Sequence, residues 1–278
     1  MSGVDDRVPA LPGRRRQRLT DDQVRERVFA AAREVLAADG GLTVSLEHIS
    51  FEEVIQRAAV SRSAAYRLWP YKDVFYEDLL LDLAGPYWAG TAAFDERTIQ
   101  VANQIISQHS DMLETEDGRF ALVVLASRLG SEQNFQAVTE SPEWRTYVIL
   151  TSTLVSMPPG RTREALTAKM KKADEGFLDR MAHFYSEVSQ RIGFRLRPEF
   201  GGDFRVLAAL GASVVEGLGI RHLVTPELVT RKYDNTYFSN YGDGEWTLAS
   251  LGFTAVLMTM IELDPDFVPP AAESAAPN

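Results

Sequence analysis

The chain has 278 residues, 45% hydrophobic and 24% charged, which suits one large folded domain or two modest ones. It contains no cysteine, and its four histidines (His48, His109, His183, His222) are scattered; disulfides, thiolate zinc sites and cysteine nucleophiles are excluded, and neither a metal site nor a cofactor is expected. The formal net charge of −10 is uneven: residues 1–78 hold 12 Lys and Arg against 13 Asp and Glu, and the remainder holds 17 against 26, so the acidity belongs to the C-terminal body.

Residues 1–20 contain Pro9, Pro12 and Gly13 and have no apolar period, and the stretch from Arg7 to Arg18 holds five arginines and no acid. They read as a flexible basic arm, either a minor-groove contact or a solvated tail. Arg14–Arg18 is followed by Asp21 and Asp22 and not by an apolar stretch. No apolar run reaches the roughly 18 residues of a membrane span, so a cytoplasmic location is expected.

From Asp21 the period is helical, with Val24, Val28, Ala31, Val35 and Leu36 on one face and Gly40-Gly41 at the end. The apolar stretch 42–49 is ambiguous between strand and loop. Ser50-Phe51-Glu52-Glu53 has the form of a capping box, which predicts a short helix from Phe51 to about Ala58. Ala59-Val60 makes a brief turn, and Ser61 caps a second short helix, Arg62 to Leu68, stopped by Pro70. A fourth helix opens at Tyr71-Lys72-Asp73 and runs to about Ala84, before Gly85-Pro86. Beyond it the pattern predicts helices at 97–113, 119–129, 142–155, 162–191, 203–223 and 245–263. Their breaks lie at Asp117-Gly118, Pro158-Pro159-Gly160, Pro198, Gly201-Gly202, Pro226 and 242–244. The tail after Pro265 is expected to be disordered. The fold class is all-α.

A long helix, then a short helix, a tight turn and another short helix, is the layout of a helix-turn-helix reader. In it the second short helix enters the major groove. Small residues along Arg62-Ser63-Ala64-Ala65 permit close approach. Arg62 and Arg67 are candidates for contacts to guanine or to phosphate, Ser63 for base contact, and Ser50, Ser61, Tyr66 and Lys72 for phosphate contacts. Lys72 stands at a helix start, where free amides favour the same anion.

These residues resemble the TetR family of transcription regulators. The resemblance is carried by Phe51-Glu-Glu-Val-Ile-Gln-Arg-Ala-Ala-Val-Ser61 and Tyr66-Arg-Leu-Trp-Pro-Tyr-Lys-Asp-Val-Phe75, and it covers about a fifth of the chain. The departures are Ala59 and Ser63, where the family usually has glycine or another small residue, and a long connection between Gly41 and Ser50. The resemblance implies a helix-turn-helix DNA-binding domain over 21–85. A helical ligand-binding and dimerisation domain over 86–264 would follow, and a tail over 265–278. It implies a homodimer built through the helices Asp203–Leu223 and Glu245–Leu263, a double-stranded palindromic operator and a small-molecule effector that releases repression.

For the dimer, Leu207, Leu210, Gly211, Val214 and Leu218 form one stripe, and Leu248, Leu251, Gly252, Ala255, Met258 and Thr259 another. Aromatics gather in the middle of the chain (Trp88, Phe94, Phe120, Trp144, Tyr147, Phe177, Phe184, Tyr185). Among them Trp88, Phe120, Trp144, Tyr147, Phe177 and Phe184 are the candidates for an effector pocket; Trp69 reads as core. His183 is either a polar handle or a surface residue. Glu114, Glu116 and Asp117 read as a solvated loop.

Two other function classes stand beside the regulator. One is a helical sensor or scaffold with a degenerate helix-turn-helix that no longer binds DNA. The other is an all-helical enzyme; the chain has no GxSxG elbow, Walker-type loop or dinucleotide fingerprint, so no catalysis is expected.

Overall fold

A computed structural model of the chain describes residues 19–38, 49–85, 96–234, 238 and 244–269. Eleven α-helices and four strands of two or three residues make up the described residues, so the molecule is all-α in class. The basic arm, Gly40-Gly41, the stretch 42–48, Trp88, Phe94 and the residues after 269 lie outside them.

The head is α1 (Asp21–Ala38), α2 (Phe51–Arg57), α3 (Arg62–Leu68) and α4 (Lys72–Leu83). The predicted stripe on α1 is buried, with Val24, Val28 and Ala32 fully enclosed. Ser50 caps α2 by accepting from the Glu53 amide at 3.3 Å. The reciprocal half of the expected capping box is replaced: the Glu53 carboxylate turns to Arg57 one turn on. Ser61 caps α3 in the same way, accepting from the Ala64 amide at 3.2 Å.

Between α2 and α3 the chain reverses at Ala59, whose φ of 50° lies in the left-handed region. An L-residue with a Cβ pays about 1–2 kcal/mol there, and glycine would not. Four aromatic rings lock the helices together. Phe51 stacks on Phe75 at 4.4 Å between centroids, and Trp69 meets Phe29, Phe51 and Phe75 at 5.5–6.1 Å. Trp69 is fully buried, and its indole N–H donates to Asp78 at 3.0 Å, so the one polar atom of the ring is satisfied.

The body comprises α5 (Glu96–Gln108), α6 (Glu116–Glu140), α7 (Pro142–Ser156), α8 (Arg161–Arg191), α9 (Phe204–His222), α10 (Pro226–Thr230) and α11 (Leu248–Met260). Three helices differ from expectation. The segment 97–113 ends at Gln108 and continues as a 3₁₀ turn, Ser110–Glu114. α6 extends on both sides of the predicted 119–129. Thr115 caps it through the Gly118 amide, so Glu116 and Asp117 stabilise a first helical turn and do not form a loop. It also runs through Gly130, because the roughly 1 kcal/mol cost of one mid-helix glycine is small beside the burial of Leu122, Val123, Val124 and Val138.

The third difference is the last helix, which is shorter than 245–263 and is flanked by strands. β3 (Glu245–Trp246) pairs with β2 (Tyr233–Asp234), and β4 (Ile261–Leu263) pairs antiparallel with β1 (Phe194–Leu196). Arg195 faces Glu262 across the second pair at 2.8 Å. The predicted break at Pro226 instead opens α10, where proline's missing N–H costs nothing.

The start of the tail is ordered. Phe267 lies over Gly193 and under the Arg119 guanidinium, which is 4.9 Å from its ring. The head and the body share one apolar core, since Leu150 of α7 and Leu166 and Met170 of α8 pack into the cluster built by α1–α4. No described helix is long and apolar enough to cross a membrane.

Candidate functional site

The seven residues singled out in the head share one property. Ser50, Ser61, Arg62, Ser63, Tyr66, Arg67 and Lys72 are all exposed, while Phe51, Val54, Ile55, Ala65 and Trp69 on the same elements are buried. The period of each short helix sorts them. α3 contributes Arg62, Ser63, Tyr66 and Arg67 to the outer face, its N-cap Ser61 stands beside Ser63 at 3.3 Å, and Lys72 begins α4.

The electrostatics of this face are mixed in a way the sequence did not reveal. Glu52 of α2 accepts from the Tyr66 hydroxyl at 2.7 Å and pairs with Arg62 at 2.9 Å. That hydrogen bond is the main reason the Tyr66 phenol is raised above its ordinary range. Arg67 is held by Asp21 at the start of α1. Both arginines of α3 therefore have an acidic partner from a neighbouring helix. These pairs are exposed, and such pairs are worth about 0–1 kcal/mol, so a competing phosphate displaces them at little cost. Lys72 has no acidic partner among the described residues.

A second feature lies inside the body. A cavity of about 90 Å³ sits between α5, α6, α8, α9 and α11. Its walls are mostly aliphatic and aromatic, including Val123, Phe177, Met181, Phe184, Val215 and Phe253. Of the candidate pocket aromatics, Phe177 and Phe184 line it; Trp88 falls outside the described residues.

The other three do not line it. Phe120 packs edge-on against Phe194 at 5.1 Å. Trp144 is buried against α9 where Gly219 leaves room for its ring. Tyr147 lies between the head core and the core of the body, and burial, with the Glu216 carboxylate next, pushes its phenol up to about 12. Tyr185, named among the aromatics, does face the cavity, but small polar residues such as Ser127, Ser131, Asn134 and Ser189 were not anticipated. The only signal for them was a serine or asparagine on the apolar face of a helix. His183 is exposed and pairs with Glu187, so it takes no part.

The two stripes expected at a dimer interface divide. Leu207 is fully buried with Leu196 and Met260, and Gly211 gives room to Phe253; a Cβ there would come within 2.7 Å of the ring. Gly252 likewise accommodates Val214 within the protomer. Met258 packs against the body's own cores, so it too leaves the stripe. What remains outside is a shallow groove between α9 and α11, lined by Val214, Gly217, Leu218, Leu248, Leu251 and Gly252 together with the charged Arg221. Exposed Val206, Leu210 and Ile220 on α9 lie beside it.

Comparison with known proteins gives no match: no family model, curated protein or solved structure is similar to this chain. Among the described residues there is also no group of side chains arranged to hold a metal ion.

Proposed function

We propose that the chain is a ligand-responsive, DNA-binding transcriptional regulator of the TetR type, acting as a homodimer on a palindromic operator that a small molecule causes it to release. The observation that carries this reading is the sorting of the head. An aromatic core holds two short capped helices, and every candidate DNA contact on and around them is exposed. In such a dimer the two α3 helices enter successive major grooves about 34 Å apart.

The route for a signal is α8. This helix has 31 residues, about 46 Å at the usual rise. Leu166 and Met170 in its first half belong to the head core, and Phe177, Met181, Phe184 and Tyr185 in its second half line the cavity. A molecule filling the cavity shifts one end of a stiff rod whose other end seats the head. Couplings of this kind run at about 1–3 kcal/mol, enough to change operator occupancy roughly 5–150-fold. The outer groove of α9 and α11 supplies an apolar face for a second copy.

The test is direct binding to duplex DNA selected from a random pool, followed by fluorescence anisotropy at fixed salt. Arg67→Ala and Lys72→Ala are each expected to weaken binding and to flatten its salt dependence by about one phosphate contact. Unchanged affinity in both variants overturns the assignment of this face. The second reading, a helical sensor that has lost DNA binding, is favoured by one observation: Glu52 and Asp21 already occupy both arginines of α3. It is the outcome if no duplex is retained by the wild-type chain.

A further inference from the structure

Twenty-two residues line the cavity, and none of them is charged. The polar ones are few, and some are already engaged. The Ser127 hydroxyl bonds Thr254 at 2.8 Å and the Val124 carbonyl at 3.1 Å, and Ser131 donates to the Ser127 carbonyl at 2.6 Å.

Two hydroxyls remain. Tyr185 and Ser189 stand one turn apart on α8, both line the cavity, and neither side chain makes a hydrogen bond among the described residues. Ser189 is 4% exposed overall and lines the cavity, so the space its side chain faces is that of the cavity. The Tyr185 oxygen projects toward Gly211, on the opposite wall. Neither oxygen is among the fully buried unpartnered atoms, so both are open to a molecule that enters the cavity, and each gains a hydrogen bond if that molecule offers one.

We propose that the cavity takes a neutral, mostly apolar small molecule with one hydroxyl or carbonyl group, which a hydroxyl of Tyr185 or Ser189 recognises, and that it rejects carboxylates and ammonium ions of the same size. The inference deepens the effector-site reading and rests on it for the site's purpose, though not for its chemistry. The exclusion of ions follows from the lining. Moving a charge from water into an apolar cavity costs far more than a neutral hydroxyl contact returns, unless a counter-charge is present. The same desolvation holds the Tyr185 phenol above its ordinary range, so Tyr185 remains a neutral donor and supplies no charge of its own. The volume exceeds the roughly 10–15 Å³ that one water needs and corresponds to a single ring or a short chain.

The experiment is isothermal titration of the full-length protein, without DNA, near neutral pH. Three compounds of one shape are compared: 4-methylphenol, 4-methylbenzoate and toluene. The phenol is expected to bind at least about tenfold more tightly than the carboxylate. The double variant Tyr185→Phe/Ser189→Ala is expected to weaken 4-methylphenol by about five- to tenfold and to leave toluene unchanged within about twofold. Ala126→Phe, which fills the cavity, should abolish binding of both neutral compounds. Circular dichroism confirms that the variants fold.

Equal or tighter binding of 4-methylbenzoate overturns the proposal. So does a double variant that keeps full affinity for 4-methylphenol, or the absence of binding by either neutral compound up to its solubility. If 4-methylphenol binds as expected but leaves DNA affinity untouched, the cavity chemistry stands and the effector role falls. If DNA binds and neither neutral compound does, only this inference falls.

Discussion

Ala59 carries the turn of the reader in a conformation that suits it poorly. Its φ of 50° places a Cβ close to the following carbonyl, and the strain persists because Ser61 caps one helix and Ala58 closes the other. Ala59→Gly removes that strain. It is expected to stabilise the protein by about 1 kcal/mol and to raise Tm by about 2–4 °C in a thermal scan. The gain is partly offset because glycine frees the unfolded chain. A fall in Tm would mean that the turn is not left-handed at this position. At this scale the sequence was informative, since the position stood out as one where a glycine was expected. Glu52 was not foreseen. It stands fourteen residues before Tyr66 and ten before Arg62, so nothing local announces that its carboxylate meets both.

At the scale of elements, legibility follows the strength of the period and the clarity of the stop signals. α2, α3, α4, α7, α8 and α9 fall within a residue or two of expectation, because each has a serine, aspartate, proline or glycine at its boundary and a stripe of apolar residues between. α6 was cut short by a glycine that tertiary packing overrides. The strands escaped because three residues cannot display an alternation, and β1 and β4 find each other across more than sixty residues.

The cavity was half legible. Phe177 and Phe184 follow from the apolar face of α8, but the turn of Phe120 and Trp144 into other cores depends on helix packing that no local pattern encodes. One element permits a clean separation of structure from recognition. Ser61 accepts from the Ala64 amide and lies on the outer edge, so its oxygen has two roles. Ser61→Ala is expected to cost about 1 kcal/mol of stability through the lost cap. Ser61→Asp restores the cap but brings a negative charge to the proposed phosphate side. Chemical denaturation should show it near wild-type stability, while anisotropy shows weaker DNA binding than Ser61→Ala. Equal DNA affinity for the two variants would place the duplex elsewhere.

On the scale of the whole molecule, the acidic body and the outer face of α9 pose the same question, namely what keeps an apolar surface in contact with water. Leu210 is 45% exposed and Ile220 50%, on a helix whose other side faces α8 and α11. Single exposed apolar residues are ordinary. A row of them along one helix, continuous with the groove of Val214, Leu218 and Leu251, marks an interaction surface. Gly217 sits on this row with no atom within 4 Å of where a Cβ would stand, so its small size serves nothing inside the protomer and leaves room for a helix from outside. Gly211 and Gly252 are spent on contacts within the chain, which narrows the predicted interface to this strip. Leu210→Glu places a charge at its centre. Sedimentation velocity is expected to show a dimer for the wild-type chain and a monomer of 31.0 kDa for the variant, with cavity binding retained because residue 210 does not line the cavity. The variant should still bind a half-site weakly and should lose its preference for two inverted half-sites, since each head then acts alone. A wild-type chain that sediments as a monomer at concentrations well above those needed for DNA binding would remove the two-fold arrangement on which the proposed operator recognition depends.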